Sequence, residues 1–358
     1  VTCGGLCPGL NNVIRAIVMS LCYTYGCHDI LGILYGLKGF IEGNKPPHHL
    51  KPTDVLDAHE KGGTILASSR GPQDHSKIVD TIENMGIDIV FFIGGDGTLR
   101  AAHSIREEIE RRGLKRSIVG VPKTIDNDIN HLSKSFGFES AYTAAVEAIR
   151  SAHVEAVGAP NGVGLVKLMG RHAGFVSAHA TLGLRDVNFC LIPEIPFELD
   201  GEYGLLNALR KRLAKRRHAV IVVAEGAGQR FFADQDLGYD ASGNKVLGDI
   251  GIYMKDRIKK YFKEKNMEVN VRYIDPSYTI RSIPAIPTDA VYCGFLGQMA
   301  VHAGMAGKTD MMVGENNGYF THIPIPAAIS ARKQIEEDSF LWHSVLHSTG
   351  QPALINPK

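Results

Sequence analysis

The run Ile89-Val90-Phe91-Phe92-Ile93 carries no polar residue on either face and stops directly on Gly94-Gly95-Asp96-Gly97-Thr98. A strand with one wet face alternates polar and apolar residues, whereas one that is apolar throughout must be covered on both sides. Comparable runs recur at Ile30-Leu31-Gly32-Ile33-Leu34, Ile118 to Val121, Val163 to Leu168 and Val220 to Ala224. Helix-like stretches separate them, among them Leu99 to Arg112 and Ser140 to His153. Alternation of this kind predicts an α/β fold with mainly parallel sheets. In such sheets ligands sit beyond the carboxyl ends of the strands, where the glycine-rich and charged motifs of this chain fall.

The chain has 358 residues, enough for two lobes with a cleft. A lobe change is expected near Gly137, with a return between Ser282 and Pro287. This gives residues 1–137 and 283–330 to one lobe, 138–282 to the other, and 331–358 to a C-terminal helical segment. The turn-rich stretch Leu237 to Gly248 predicts an insertion or hairpin, and Pro46-Pro47-His48-His49 a surface loop. Val1-Thr2-Cys3 enters a glycine loop as if a strand before it were cut away, so a fragment of a longer chain is expected. A formal net charge of +1 favours neither nucleic acid nor an acidic membrane surface. No apolar run reaches the roughly 20 residues that span a bilayer. Six scattered cysteines without a Cys-x-x-Cys pair point to reduced thiols, and hence to the cytoplasm.

Gly4-Gly5-Leu6-Cys7-Pro8-Gly9-Leu10-Asn11-Asn12 precedes an apolar helical pattern. It is either an anion site of orphan amides and helix dipole or a tight turn with an asparagine cap. Ser69-Arg70-Gly71 offers a guanidinium that could fork onto a phosphate, or a solvated loop arginine. At the Gly94 turn, backbone amides can approach phosphate oxygens closely. Asp96 there either holds Mg²⁺ or caps the following helix. Gly97 leaves room that a carboxylate would fill and make repulsive to one more phosphate. Asp126 and Asp128, in Pro122-Lys123-Thr124-Ile125-Asp126-Asn127-Asp128, would share a face in extended backbone. A cation or a substrate hydroxyl would reward that repulsion, and a plain surface turn is the alternative. Lys123 could neutralise the pair or touch a phosphate. Met169 and Gly170 suit a close sugar contact, and Arg171 a phosphate or developing charge. Glu225 ends a strand, and Tyr278 with Arg281 could hold a second phosphate.

As an ordered set, the Gly4 loop, Ser69-Arg70-Gly71, the Gly94 turn, Thr124-Ile125-Asp126, Met169-Gly170-Arg171, Glu225 and Tyr278-x-x-Arg281 resembles the 6-phosphofructokinase family. The resemblance covers nearly the whole chain and leans to the plant-type and kinetoplastid-type ATP-dependent branch. It implies two doubly wound, Rossmann-like α/β lobes with the active site in the cleft between them. ATP would be the phosphoryl donor with Mg²⁺, and fructose 6-phosphate the acceptor. Asp126 would be the base, with Arg171 and Thr124 beside it. Asp96, with Asp128, would handle the metal. Gly4, Arg70, Gly71, Gly95, Asp96, Gly97 and Thr98 would hold the donor. Thr124, Ile125, Asp126, Met169, Gly170, Arg171, Glu225, Tyr278 and Arg281 would hold the sugar phosphate, joined by Arg272 of the same or a neighbouring subunit. Family analogy implies a homotetramer and an allosteric enzyme, with neither nucleic acid nor membrane as partner.

Two positions depart from the bacterial ATP-dependent pattern. Lys123 stands where those enzymes carry glycine and is shared with pyrophosphate-dependent relatives, while Gly162 replaces an arginine. Gly97 is the ATP-type residue, so Gly97 and Lys123 together set donor specificity. The rivals are a pyrophosphate-dependent enzyme, an NAD or lipid kinase with the same glycine turn, and a catalytically silent regulatory subunit that binds sugar phosphate.

Overall fold

A computed structural model describes all residues except 42, 44, 241, 242 and 356–358. The chain divides into two compact units: Val1–Ser140, Ala241–Asn244 and Arg281–Lys333 in the first, and Ala141–Asp240, Lys245–Ile280 and Gln334–Lys358 in the second.

Along the chain, unit one begins with α1 (Leu10–Tyr25), a short antiparallel pair β1 (Leu31–Gly32) and β2 (His48–His49), and α2 (His75–Asn84). It continues with β3 (Ile89–Gly94), α3 (Asp96–Arg111) and β4 (Ser117–Pro122). The chain passes from unit one to unit two within α4 (Phe138–Val157). Unit two holds β5 (Gly162–Leu168), α5 (Phe175–Leu184), β6 (Phe189–Leu191), α6 (Leu205–Arg216), β7 (His218–Ala224), α7 (Ile250–Glu264) and β8 (Asn270–Ile274). It passes back within α8 (Ser277–Ser282). Then follow α9 (Pro287–Met305), β9 (Met311–Asn316), β10 (Tyr319–Pro324) and α10 (Ile325–Ala328) of unit one, and α11 (Phe340–Thr349) of unit two.

The sheet of unit one runs β10-β9-β4-β3 and is parallel except for β10. Every residue of β4 is buried, as its unbroken apolar character requires, whereas β10 at the edge exposes most of its residues. Gly120 lies within β4 because a Cβ there would meet Leu99 of α3 at 2.7 Å and Met312 of β9 at 3.0 Å. Val1–Cys3 extends the sheet beside β3 in parallel: Ile93 N–H donates to Val1 O at 2.9 Å, and Cys3 N–H to Ile93 O at 2.9 Å. Ile78, Ile82, Phe92, Leu99 and Ile105 fill the core beneath.

Unit two has an all-parallel sheet ordered β6-β7-β5-β8. Gly162 and Gly164 let α4 press onto β5, since a Cβ at either would lie 2.0 Å and 2.7 Å from the carbonyl oxygens of Ala156 and Ala152. Val163, Leu165, Ile221, Val223, Met254 and Phe262 form its core. Both sheets have the parallel, two-sided character that the apolar runs predict.

Two local expectations need correction. Ile30 to Leu34 gives only the two-residue strand β1, outside the parallel sheet, because it pairs with β2 instead, and Tyr35 beyond it turns left-handed (φ 61°). His48–His49 is the strand that pairs with it, exposed as a loop would be but not irregular. The expected hairpin within Leu237 to Gly248 has one antiparallel bridge, Tyr239 to Lys245, and its Ala241 and Ser242 lie outside the described residues. All six cysteines are free thiols.

Candidate functional site

In unit one the site residues gather at the carboxyl ends of Val1–Cys3, β3 and β4. Gly4 (φ 86°) follows the first, and its loop is pinned by Gly4 N–H to Ser69 O (3.0 Å) and Ser68 Oγ to Gly4 O (2.7 Å). These bonds bring Ser69-Arg70-Gly71 against the glycine loop, sixty-odd residues away in sequence. Gly9 (φ 93°) caps α1 without a side chain, so the asparagine-cap alternative is not what forms. Asn11 is buried, and its side chain bonds Lys61 O at 3.0 Å and Ile65 N–H at 2.9 Å.

Three cations converge on Gly5. A Cβ added there would lie 2.9 Å from Arg70 Nη2 and 3.3 Å from Arg281 Nη1, and Lys123 Nζ donates to Gly5 O at 2.8 Å. Lys123 is buried, which pulls its pKa down; the neighbouring Arg70 adds to this, while Cys7, Cys3 and Asp126 oppose it. Arg281, read from sequence with the sugar phosphate, thus stands beside the donor-side arginine.

The Gly94 turn opens α3, whose cap Gly95 offers no side-chain bond to the first amides of the helix, while Thr98 N–H donates to Gly95 O at 2.9 Å. Gly94 is obligatory, since a Cβ would overlap the Thr98 side chain at 2.2 Å. Gly97 is the opposite case: it is exposed and a Cβ would meet nothing within 4 Å. Asp96, one turn before Arg100, accepts from its Nε at 3.1 Å and has Arg332 Nη2 at 3.7 Å.

The ladder continues from β3 to Lys123, whose N–H donates to Gly94 O at 2.9 Å. Beyond it the extended backbone assumed for Asp126 and Asp128 fails: Asn127 is left-handed (φ 55°), a conformation asparagine tolerates better than most residues. Its buried side chain takes Ser135 N–H at 3.0 Å and Lys333 Nζ at 3.1 Å. Thr124 Oγ1 accepts from Asp126 N–H at 3.0 Å and lies 3.1 Å from Asp128 Oδ1. Burial raises the pKa of Asp128, Thr124 and Arg332 lower it, and Asp96 raises it further. A carboxylate at Asp128 with Asp96 close enough to act on its charge fits a divalent cation whose remaining ligands are donor oxygens and water. Among the described residues no group of three or more His, Cys, Asp or Glu could hold a metal without such help.

Unit two places Met169-Gly170-Arg171 after β5 and Glu225 after β7. Glu225 N–H donates to Leu168 O at 2.8 Å, and Gly226 N–H to Gly170 O at 3.1 Å, so the two loops are stitched together. Gly170 has φ 135°, and a Cβ on Gly226 would lie 2.0 Å from Arg171 O. Arg171 Nη2 donates to Lys245 O. Burial raises the pKa of Glu225, while Arg171 and Lys167 pull it back. Tyr278 on α8 is 75% exposed, open to a ligand. Arg272 on the edge strand β8 is half-exposed and 3.5 Å from Glu155.

Sequence reasoning missed Arg100, Arg332 and Lys333. The first has a local signal, four residues after Asp96 on a helix. The other two have none, since Lys333 N–H reaches Asp128 O at 2.9 Å from two hundred residues away.

The sequence profile described as phosphofructokinase matches residues 1–306. The ATP-dependent 6-phosphofructokinase of Borreliella burgdorferi is 50% identical over 358 residues, covering 98% of this chain and 80% of that protein. ATP-dependent 6-phosphofructokinase 7 of Arabidopsis thaliana is 50% identical over 360 residues, covering 100% and 74%. The Trypanosoma brucei brucei ATP-dependent 6-phosphofructokinase is 43% identical over 353 residues, covering 98% and 72%. Among solved structures, the pyrophosphate-dependent phosphofructokinase of Marinobacter aquaeolei superposes with a TM-score of 0.78 at 17% identity, over 100% of this chain and 92% of that one. Pichia pastoris phosphofructokinase in the T-state gives 0.74 at 22%, and this chain spans 35% of that one. Both structural likenesses speak for the fold alone. With a profile match over most of its length and half its residues shared with proteins of which it spans more than two thirds, this chain belongs to the phosphofructokinase family.

Proposed function

We propose that the chain is an ATP-dependent 6-phosphofructokinase, transferring the terminal phosphoryl group of ATP to the 1-hydroxyl of fructose 6-phosphate and releasing ADP. The observation that carries this is half-identity over the full chain to proteins named for that activity. Gly97 supports the donor, since the space above its exposed backbone is open to a third phosphate.

Asp126 takes the proton of the attacking hydroxyl as the oxygen–phosphorus bond forms, and the bond to the ADP oxygen breaks. Arg70, Lys123 and the amides of the Gly4 loop and of Gly95 to Thr98 cradle the donor, with Gly71 giving Arg70 its turn. Arg171 faces the charge that develops on the transferred group, while Thr124 and Ile125 hold the base in place. Met169, Gly170, Glu225, Arg272, Tyr278 and Arg281 bind the sugar phosphate. Asp96 and Asp128 are the residues that would hold Mg²⁺, which supplies charge neutralisation on the donor phosphates when bound. Transfer of this kind asks a protein for positioning and charge rather than covalent chemistry. The homotetramer and allosteric control belong to this reading by family analogy. Among the described residues no helix is long and apolar enough to cross a membrane. Some similar plant proteins are named as chloroplastic, so the cytoplasm also belongs to the proposal.

One observation favours pyrophosphate as donor: the buried Lys123 ammonium against the glycine loop. Assaying the purified chain with each donor decides between them. Turnover with ATP and not pyrophosphate is expected, and the reverse result would reject the proposal.

A further inference from the structure

Behind the Met169–Arg171 turn lies a charged network that none of the proposed ligand contacts accounts for. Lys167 sits two residues before Met169 in an otherwise apolar strand, and its side chain is only 12% exposed. Its Nζ lies 3.0 Å from Asp249 Oδ2 and 2.9 Å from Asp275 Oδ2. Burial alone would lower the pKa of this lysine, yet the bonds to Asp275 and Asp249 more than offset it and the net shift is upward. A largely covered ion triad adds little to stability compared with apolar packing, so its use here points to placement.

Each aspartate also begins a helix. Asp249 Oδ1 accepts Ile252 N–H at 3.1 Å and caps α7. Asp275 Oδ1 accepts Ser277 N–H at 3.2 Å at the start of α8, which carries Tyr278. The segment leading to Asp249 is held by the site loops themselves. Arg171 bonds Lys245 O, and Gln229 Nε2 bonds both Gly248 O at 3.1 Å and Glu225 O at 2.7 Å. One ammonium therefore joins the supports of Arg171, Glu225 and Tyr278.

We infer that Lys167 is a positioning residue for sugar-phosphate binding: by holding Asp249 and Asp275 together, it fixes where Arg171, Glu225 and Tyr278 stand relative to one another. The inference rests on the proposed function, which assigns those three residues to fructose 6-phosphate. Displacement of positioned groups by about 1 Å can cost on the order of a hundredfold in rate.

The test uses the full chain with the variants K167M, K167R and D275N, reading steady-state KM for each substrate and fructose 6-phosphate binding by calorimetry. K167M should raise both KM and Kd for fructose 6-phosphate by about tenfold or more while KM for ATP stays within about twofold. K167R should recover most of the affinity, since a guanidinium can reach both carboxylates. D275N keeps an acceptor for Ser277 but loses the ion pair, so the same split is expected at smaller amplitude, and it decides the matter if K167M fails to fold. Unchanged fructose 6-phosphate affinity in folded K167M, or equal rises in both KM values, overturns the inference alone. A wild-type chain that binds no fructose 6-phosphate overturns the proposed function and the inference with it.

Discussion

Lys123 Nζ donates to the carbonyl of Gly5 at 2.8 Å, which sets a buried cation directly under the first glycine loop. The bond occupies the Gly5 carbonyl, while the Gly4 N–H is held by Ser69 O at 3.0 Å. The Lys123 ammonium is thus anchored by the same loop that it would share with the donor phosphates.

Donor choice should respond to Gly97 more than to Lys123. A carboxylate at 97 has room to fold, so Gly97→Asp should leave the melting temperature unchanged. Two unit charges about 4 Å apart near a protein surface repel by about 4 kcal/mol, so kcat/KM for ATP should fall by two to three orders of magnitude. An unchanged ATP rate in the folded variant would show that the space above Gly97 is not where the donor's terminal phosphate lies.

Asp126→Asn should keep the fold and ligand binding but lower kcat by roughly 10²–10⁴-fold, the range for loss of a general base. Calorimetric binding of both substrates alongside the rate separates this from a binding defect. A loss below tenfold would assign the proton to another group.

Glu225 ties function to stability. Its folded pKa is raised above that of the unfolded chain, with burial the largest cause, so the folded state holds the proton more tightly. Stability then falls as pH rises from the unfolded pKa through the folded one. Glu225→Gln should raise the melting temperature at pH 7 and leave it unchanged near pH 4. Its affinity for fructose 6-phosphate should drop by about 1.5–3 kcal/mol if the carboxylate accepts a sugar hydroxyl. Equal stabilisation at both pH values would contradict the sign.

Gly9→Ala tests the frame of the first loop. Residue 9 has φ 93°, and the new methyl would lie 2.5 Å from Cys293 Sγ and 3.2 Å from Phe136. Left-handed strain of about 1–3 kcal/mol and overpacking of similar size should lower stability in urea by about 2–6 kcal/mol.

The parallel sheets and the Gly94 turn were legible because they depend on local pattern: apolar runs need cover on both faces, and a glycine turn after a strand has few other uses. Arg100 was within reach of the same reasoning, at helical spacing from Asp96. The Asp126–Asp128 geometry was not, because Asn127 turns left-handed to let its side chain hold Ser135 and Lys333, a tertiary bargain with no local trace. Ile30 to Leu34 misled for the converse reason, being apolar to cover a core rather than to join the sheet. Arg332 and Lys333 were invisible from sequence because nothing near them repeats a motif.

That last pair has a practical consequence. Lys333 donates its backbone N–H to Asp128 and its ammonium to Asn127, Leu132 O and Ser133 O, while Arg332 faces Asp96. A recombinant fragment ended after β10, at the apparent close of the sheet, would express most of the fold yet leave the carboxylate segment untethered. Any minimal piece meant to retain the chemistry must run past Lys333.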